Sequence, residues 1–324
     1  MYDCSMEKLV YQMFILGCGE MLDEALAKNL GGVIFFTKDI PSEKIFTEKI
    51  AEIKSKSVTP PFLSIDQEGG RVERTENIRP KRLSAREAYN KGVDFLSHQS
   101  AEISRELRDW GINLNFAPCA DVNTNPNNPI IGVRSFSDKT DDVIKGVKIF
   151  SDMSKKFNVI PCIKHYPGHG DADKDSHLTL PEIKLPMDEM EKIHIKPFKA
   201  AISDGIDMIM AAHLHCTCFD EDVIPASLSK NAIKYLRKDL GYDRVIITDD
   251  MVMKGVQDFG GVEACIMAIQ AGVDMFIYRD SDKQTIEIIN ELVKVVERDD
   301  NLKSKVFASN ERIKKLKEKY QIIK

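Results

Sequence analysis

The chain has 324 residues, 46 basic against 51 acidic for a formal net charge of -5, and 43% of it is apolar with 18 Gly and 13 Pro. That composition excludes disordered and fibrous chains, and Lys and Arg scattered without a basic stripe argue against nucleic acid as a partner. No apolar run approaches the ~20 residues that span a bilayer, and the N-terminal MYDCSMEKLVYQMF is too interrupted by charge for a signal peptide, so the expectation is a cytoplasmic protein without a membrane partner.

In chain order, eight short apolar, β-rich runs stand out: 12–17, 32–36, 61–66, 113–119, 159–165, 207–213, 244–250 and 274–279. Helical stretches separate most of them. Ser42 is placed to cap EKIFTEKIAEIK, and a capping box of Ser84 and Glu87 opens a long helix ending at Gly111. Further helices are predicted over 140–157, 187–203, 229–240, 261–271 (with Gly272 just beyond its end), 285–298 and 310–320. Apolar strands alternating with helices indicate a parallel sheet, and eight of them indicate a closed (β/α)8 barrel. An open doubly wound sheet is the alternative, but no GxGxxG follows the first strand. No linker or repeat divides the chain, so residues 1–324 are expected to form one domain.

Seven cysteines, odd in number and mostly in apolar segments, suit reduced thiols rather than a disulfide framework. His213, His215, Cys216 and Cys218 could form a metal tract. Strand alternation would send them to opposite faces, however, and no second ligand pair at zinc spacing follows, so the tract is read as structural.

A barrel places chemistry at the C-terminal ends of its strands, where the unusual polar residues fall. Asp66 ends the third run, Asp121 and Asn123 follow the fourth, and Lys164 and His165 end the fifth. His213 ends the sixth, and Asp249 and Asp250 end the seventh. The run from Lys164 to His177, KHYPGHGDADKDSH, is dense in His and Asp. Those residues could hold a metal that activates water, although barrel metallohydrolases usually carry HxH at the first strand end and this strand ends Gly17-Cys18-Gly19. Alternatively, Asp175 orients and charges His177, which then gives and takes a proton. In Thr248-Asp249-Asp250-Met251, one carboxylate should point into the barrel mouth and the other into supporting hydrogen bonds. A carboxylate so held can attack a sugar anomeric carbon.

The segments DQEGGRV at 66–72, KHYPGHGDADKDSH followed by Leu180-Pro181, and TDDMVMKG at 248–255 resemble the signatures of glycoside hydrolase family 3, in particular its β-N-acetylglucosaminidase branch. The similarity covers nearly the whole chain and is supported by NFAP at 115–118, GVRSF at 132–136, MAAH at 210–213 and PASLS at 225–229.

The resemblance implies that Asp249 is the catalytic nucleophile and that His177 with Asp175 forms the acid/base dyad. It places sugar binding on Asp66, Arg74, Arg134, Lys164 and His165. Because the acid/base is a histidine, a second carboxylate at the usual ~5 Å is not required. Some members carry a C-terminal second domain that supplies this group; here the chain ends at Lys324 and the DSH loop is expected to supply it. The implied activity is that of a retaining exo-β-N-acetylglucosaminidase acting on carbohydrate, with muropeptide fragments as natural substrates and with neither metal nor organic cofactor. A family member specific for β-glucosides or β-xylosides, a phosphorylase using the same dyad, a metal-dependent barrel hydrolase and a non-catalytic sugar-binding protein are the competing readings.

Overall fold

The computed structural model describes residues 5–172 and 180–324. Eight parallel strands close into a barrel: β1 (Phe14–Gly17), β2 (Gly32–Phe35), β3 (Phe62–Ile65), β4 (Leu114–Asn115), β5 (Ile160–Tyr166), β6 (Met208–Ala211), β7 (Val245–Asp250) and β8 (Met275–Tyr278). Each strand pairs with its neighbours in sequence, and the ring closes where Phe14 of β1 lies opposite Phe276 of β8. All eight runs expected from the sequence become these strands. Except for Asp249 and Asp250 at the tip of β7, every barrel-strand residue is buried, which is why the runs read as continuously apolar rather than alternating.

The helices follow their caps. The Ser42 hydroxyl accepts from the Ile45 amide at 3.3 Å to open Glu43–Lys56. Ser84 and Glu87 form the expected capping box. The single helix predicted up to Gly111 is instead two, Ala85–Asn90 and Val93–Trp110, because Gly92 between them adopts φ 107° and cannot continue a right-handed helix. The segment predicted as one helix over 187–203 passes through a π-helical turn at Met190–His194 before Lys196–Ser203, where Pro197 lacks the amide needed to extend the preceding ladder. The last helix starts earlier than predicted, at Asp300, because the Asp299 side chain accepts from the amides of Asn301 and Leu302.

This last helix, Asp300–Lys319, is held under the N-terminal ends of the strands. Asp274, buried just before β8, accepts from Arg237, Arg312, Ser309 and the Ile246 amide. Asp207, just before β6, accepts from Arg244, Lys319 and the Tyr320 hydroxyl. Between these clamps Lys317 is 1% exposed, donates to Gln12 Oε1 at 3.0 Å and lies 5.0 Å from the centre of the Phe62 ring. Among the described residues no helix is long and apolar enough to cross a membrane.

Burial lowers the Lys317 amine from 10.5 to about 7. Between those values the unfolded chain binds a proton that the folded chain does not, so this group makes stability rise with pH from near neutrality towards 10. Lys317→Met should therefore stabilise the protein at pH 7 by on the order of 1–3 kcal/mol, with the gain shrinking by about pH 9.5, as read from urea denaturation at the two pH values. A gain that does not change with pH would show that the amine is not neutralised by burial.

Candidate active site

At the C-terminal ends of the strands lies a cavity of about 250 Å³. Six of the residues expected at the site line it together: Asp66 after β3, Arg74 in the loop that follows, Arg134 in the loop after β4, Lys164 and His165 on β5, and Asp249 on β7. Asp175 and His177 lie outside the described residues.

One wall is a network of buried charge. Glu68 receives Arg134 through two parallel bonds, Nε to Oε2 at 2.9 Å and Nη2 to Oε1 at 2.8 Å. Lys164 Nζ lies 2.8 Å from the same carboxylate and 2.6 Å from Asp66 Oδ1. Burial alone would raise the Glu68 carboxyl, but Arg134 and Lys164 outweigh it and hold the group well below the usual carboxylate range. Burial likewise opposes the Lys164 charge, yet Asp66 and Glu68 push its pKa above that of an ordinary lysine. Two of the three ammonium protons are thus engaged with carboxylates, leaving one donor for a ligand. Arg74 stacks over Phe36, its guanidinium carbon 5.7 Å from the ring centre, and its buried Nε has no hydrogen-bond partner.

A second buried pair fixes the floor. His165 Nδ1 is 2.7 Å from Asp121 Oδ2, while Oδ1 of the same aspartate accepts the backbone amides of His165 at 3.3 Å and His169 at 2.6 Å. The other ring nitrogen, Nε2, faces Arg134 Nη2 at 3.3 Å. Simple alternation along β5 would send Lys164 and His165 to opposite faces. The register of β5 against β6 shifts between Ile163 and Tyr166, and both side chains reach the cavity. The Lys164–His165 peptide is cis.

The paired aspartates of β7 divide their work much as strand geometry suggests, although both border the cavity. Asp250 is tied down by the Val252 amide at 3.1 Å and by the backbone and guanidinium of Arg279. Asp249 accepts the Asp250 amide at 2.7 Å. Burial raises both carboxyls. For Asp249 the pull of His165, His213, the Asp250 amide and Lys164 prevails and lowers it below the usual range; for Asp250 burial prevails over Arg279 and raises it. Neighbouring carboxyls pushed in opposite directions are a mark of acid/base or nucleophilic chemistry, and Asp249 is the one held below the usual range.

The tract at 213–218 does not converge. His213 pairs with the Ser227 hydroxyl at 2.7 Å and the Asp250 carbonyl at 3.2 Å, whereas His215 turns to the Ile224 carbonyl at 3.4 Å. Among the described residues, one group brings potential metal ligands within 4.8 Å of one another: Cys119, Asp121 and His165. There Asp121 accepts from the Cys119 thiol at 3.0 Å and pairs with His165, so the three side chains satisfy one another.

Comparison with known proteins gives the family. The model of the glycosyl hydrolase family 3 N terminal domain matches residues 7–316. The chain belongs to glycosyl hydrolase family 3. Among its curated relatives, Beta-hexosaminidase A of Pseudoalteromonas piscicida is 33% identical over 92% of this chain and 55% of its own length. The Beta-hexosaminidase of Neisseria meningitidis serogroup C (strain 053442) is 32% identical over 79% of this chain and 72% of its own. The solved family 3 beta-N-acetylglucosaminidase of Paenibacillus sp. str. FPU-7 superposes with a TM-score of 0.93 at 29% identity, covering 98% of this chain and 63% of that one. The chain thus spans little more than half of the first curated relative and under two thirds of this solved one.

In this family 3 chain, Asp121 stands out in the sequence at a strand end but without an assigned partner, and Glu68 is given no role of its own there. Both are carboxylates in the loops that follow strands, but their partners lie 66 and 44 residues away, so only folding reveals what they hold. Glu68→Gln removes the charge between two buried cations. It should cost about 3 kcal/mol of stability and raise KM for any glycoside substrate, as thermal denaturation and steady-state kinetics would record. An unchanged melting temperature would mean that Arg134 and Lys164 do not depend on Glu68.

Proposed function

We propose that this chain is a retaining exo-β-N-acetylglucosaminidase. The observation that carries the reading is Asp249: an ionised carboxylate at the tip of a barrel strand, lining one cavity with Asp66, Lys164 and Arg134, which Glu68 holds from behind, and with Arg74, whose Nε has no partner. Neutral sugar hydroxyls are bound by such mixed donors and acceptors, and planar arginine forks orient them. The relatives named beta-hexosaminidase, and the solved beta-N-acetylglucosaminidase, support the acetamido sugar as substrate.

In the proposed reaction Asp249 attacks the anomeric carbon while His177, charged and oriented by Asp175, protonates the leaving oxygen. The glycosyl–Asp249 ester is then opened by a water that His177 deprotonates, returning the sugar with retained configuration. The described chain on both sides of the 173–179 segment supports this role: His169 lines the cavity, and Leu180 packs beside Gly255, a few residues beyond Asp249. Muropeptide fragments bearing a terminal N-acetylglucosamine are the proposed natural substrates. Water is the proposed acceptor, and one barrel domain without a metal the catalytic unit.

Asp249→Ala should lower kcat on an aryl N-acetyl-β-glucosaminide by at least ~10⁴ with an unaltered circular dichroism spectrum; near-normal turnover would end the proposal. His177→Ala should cost far more on substrates with poor leaving groups than on activated aryl glycosides, because proton donation matters most where the leaving group is basic. Equal losses across a leaving-group series would remove His177 from the acid role.

A further inference from the structure

His169 has no task in the reaction described above, yet its placement is unusual. It is 3% exposed, it lines the cavity, and neither of its ring nitrogens has a hydrogen-bond partner. Buried polar atoms are nearly always paired, and leaving two unpaired on one ring destabilises the fold unless something else fills them. One other imidazole among the described residues shares this state, His194, but it packs against Gly168 and is not part of the cavity wall.

The main chain holds His169 from both sides. Its amide donates to Asp121 Oδ1 at 2.6 Å, and its carbonyl accepts from Asn128 Nδ2 at 2.8 Å. The following residue is pressed so closely on the loop after β4 that a Cβ at Gly170 would lie 1.7 Å from the Val122 carbonyl oxygen, so only glycine fits. The ring stands edge-on to His165, centroids 5.9 Å apart at 71°. A group held this firmly, beside a residue on the cavity floor, is preorganised rather than loosely packed.

The electrostatics determine what such a ring can offer. Burial, reinforced by His165 and Arg134 and opposed by Asp121, lowers the His169 imidazole to about 4. Near neutral pH it is uncharged, with one nitrogen donating and the other accepting.

We propose that His169 is a further sugar-binding residue of this site, its imidazole hydrogen-bonding a neutral polar group of the glycoside in the cavity. The inference rests on the reading of the site as one for N-acetylglucosaminides. It adds a neutral donor and acceptor to the charged Asp66, Arg74, Arg134, Lys164 and Asp249 of the cavity lining, which suits a ligand that itself carries no charge.

The test is calorimetric titration of the full chain with free N-acetylglucosamine, so that the readout does not depend on turnover. His169→Leu should weaken binding about tenfold, and His169→Gln, which keeps a donor and an acceptor, should stay within about threefold of the parent. The loss in the leucine variant should be the same between about pH 5.5 and 8, because the ring it replaces is neutral there. Its melting temperature should not fall, because two unsatisfied buried atoms are removed. Unchanged binding in His169→Leu would overturn the proposal, as would equal losses in both variants that track a lowered melting temperature. A parent protein that binds the sugar but fails to hydrolyse aryl N-acetyl-β-glucosaminides would sink the enzymatic reading while leaving His169 as a binding residue. A parent that does not bind the sugar would overturn both.

Discussion

A buried charge has to be answered by another, and at the mouth of this barrel that constraint sets the geometry of the site. Glu68 is fully enclosed and survives as a carboxylate only because Arg134 grips both of its oxygens and Lys164 lies against one of them. The same contacts leave Lys164 bridging to Asp66 and bring Arg134 to the edge of His165. The side chains that face the cavity are therefore held by partners behind them. They do not need to reorganise when a ligand arrives, which is the condition for binding neutral sugar hydroxyls against competition from water.

The barrel makes this possible by separating stability from chemistry. Its strands are buried on both faces and carry mostly apolar side chains, aliphatic and aromatic, so the layer that packs holds little polar content. Charge is confined to the two ends. At the N-terminal ends, Asp207 and Asp274 are consumed in clamping the last helix, with every oxygen engaged. At the C-terminal ends, by contrast, donors remain unspent: the third proton of Lys164, Arg74 Nε and the nitrogens of His169. The unpartnered buried nitrogens of Arg74 and His169 thus belong to residues that line the cavity at the C-terminal ends.

Asp249 and Asp250 illustrate how neighbouring residues of one type acquire different characters. Both are aspartates at the tip of β7, and burial opposes ionisation in both. Asp250 spends its oxygens on Arg279 and on the amide of Val252, whereas Asp249 is drawn by His165 and Lys164 of β5 and by His213 just beyond β6. Their separation into a lowered and a raised carboxyl is a product of what the closed ring places opposite each of them.

Much of this protein was legible before folding was considered. Eight apolar runs separated by helical segments specify a closed parallel barrel, because a strand buried on both faces must be apolar at nearly every position, and several helix starts, such as those at Ser42, Ser84 and Asp282, announce themselves through a local side chain. Carboxylates and histidines at the ends of those runs marked the cavity wall, since a polar group at the tip of a buried strand has few other places to go. The breaks in the helices at Gly92 and before Pro197 were not anticipated, because each segment reads as one helix until the positive φ of Gly92 and the π-helical turn at Met190–His194 are seen. Tertiary structure alone decided which charges answer one another, that the register shift in β5 brings Lys164 and His165 to the same cavity, and that His169 stands there without a partner. The difference is physical: periodicity and caps act over a few residues and leave a pattern in the chain, whereas the energy of a buried ion or an unsatisfied ring nitrogen depends on groups that meet only when the barrel closes.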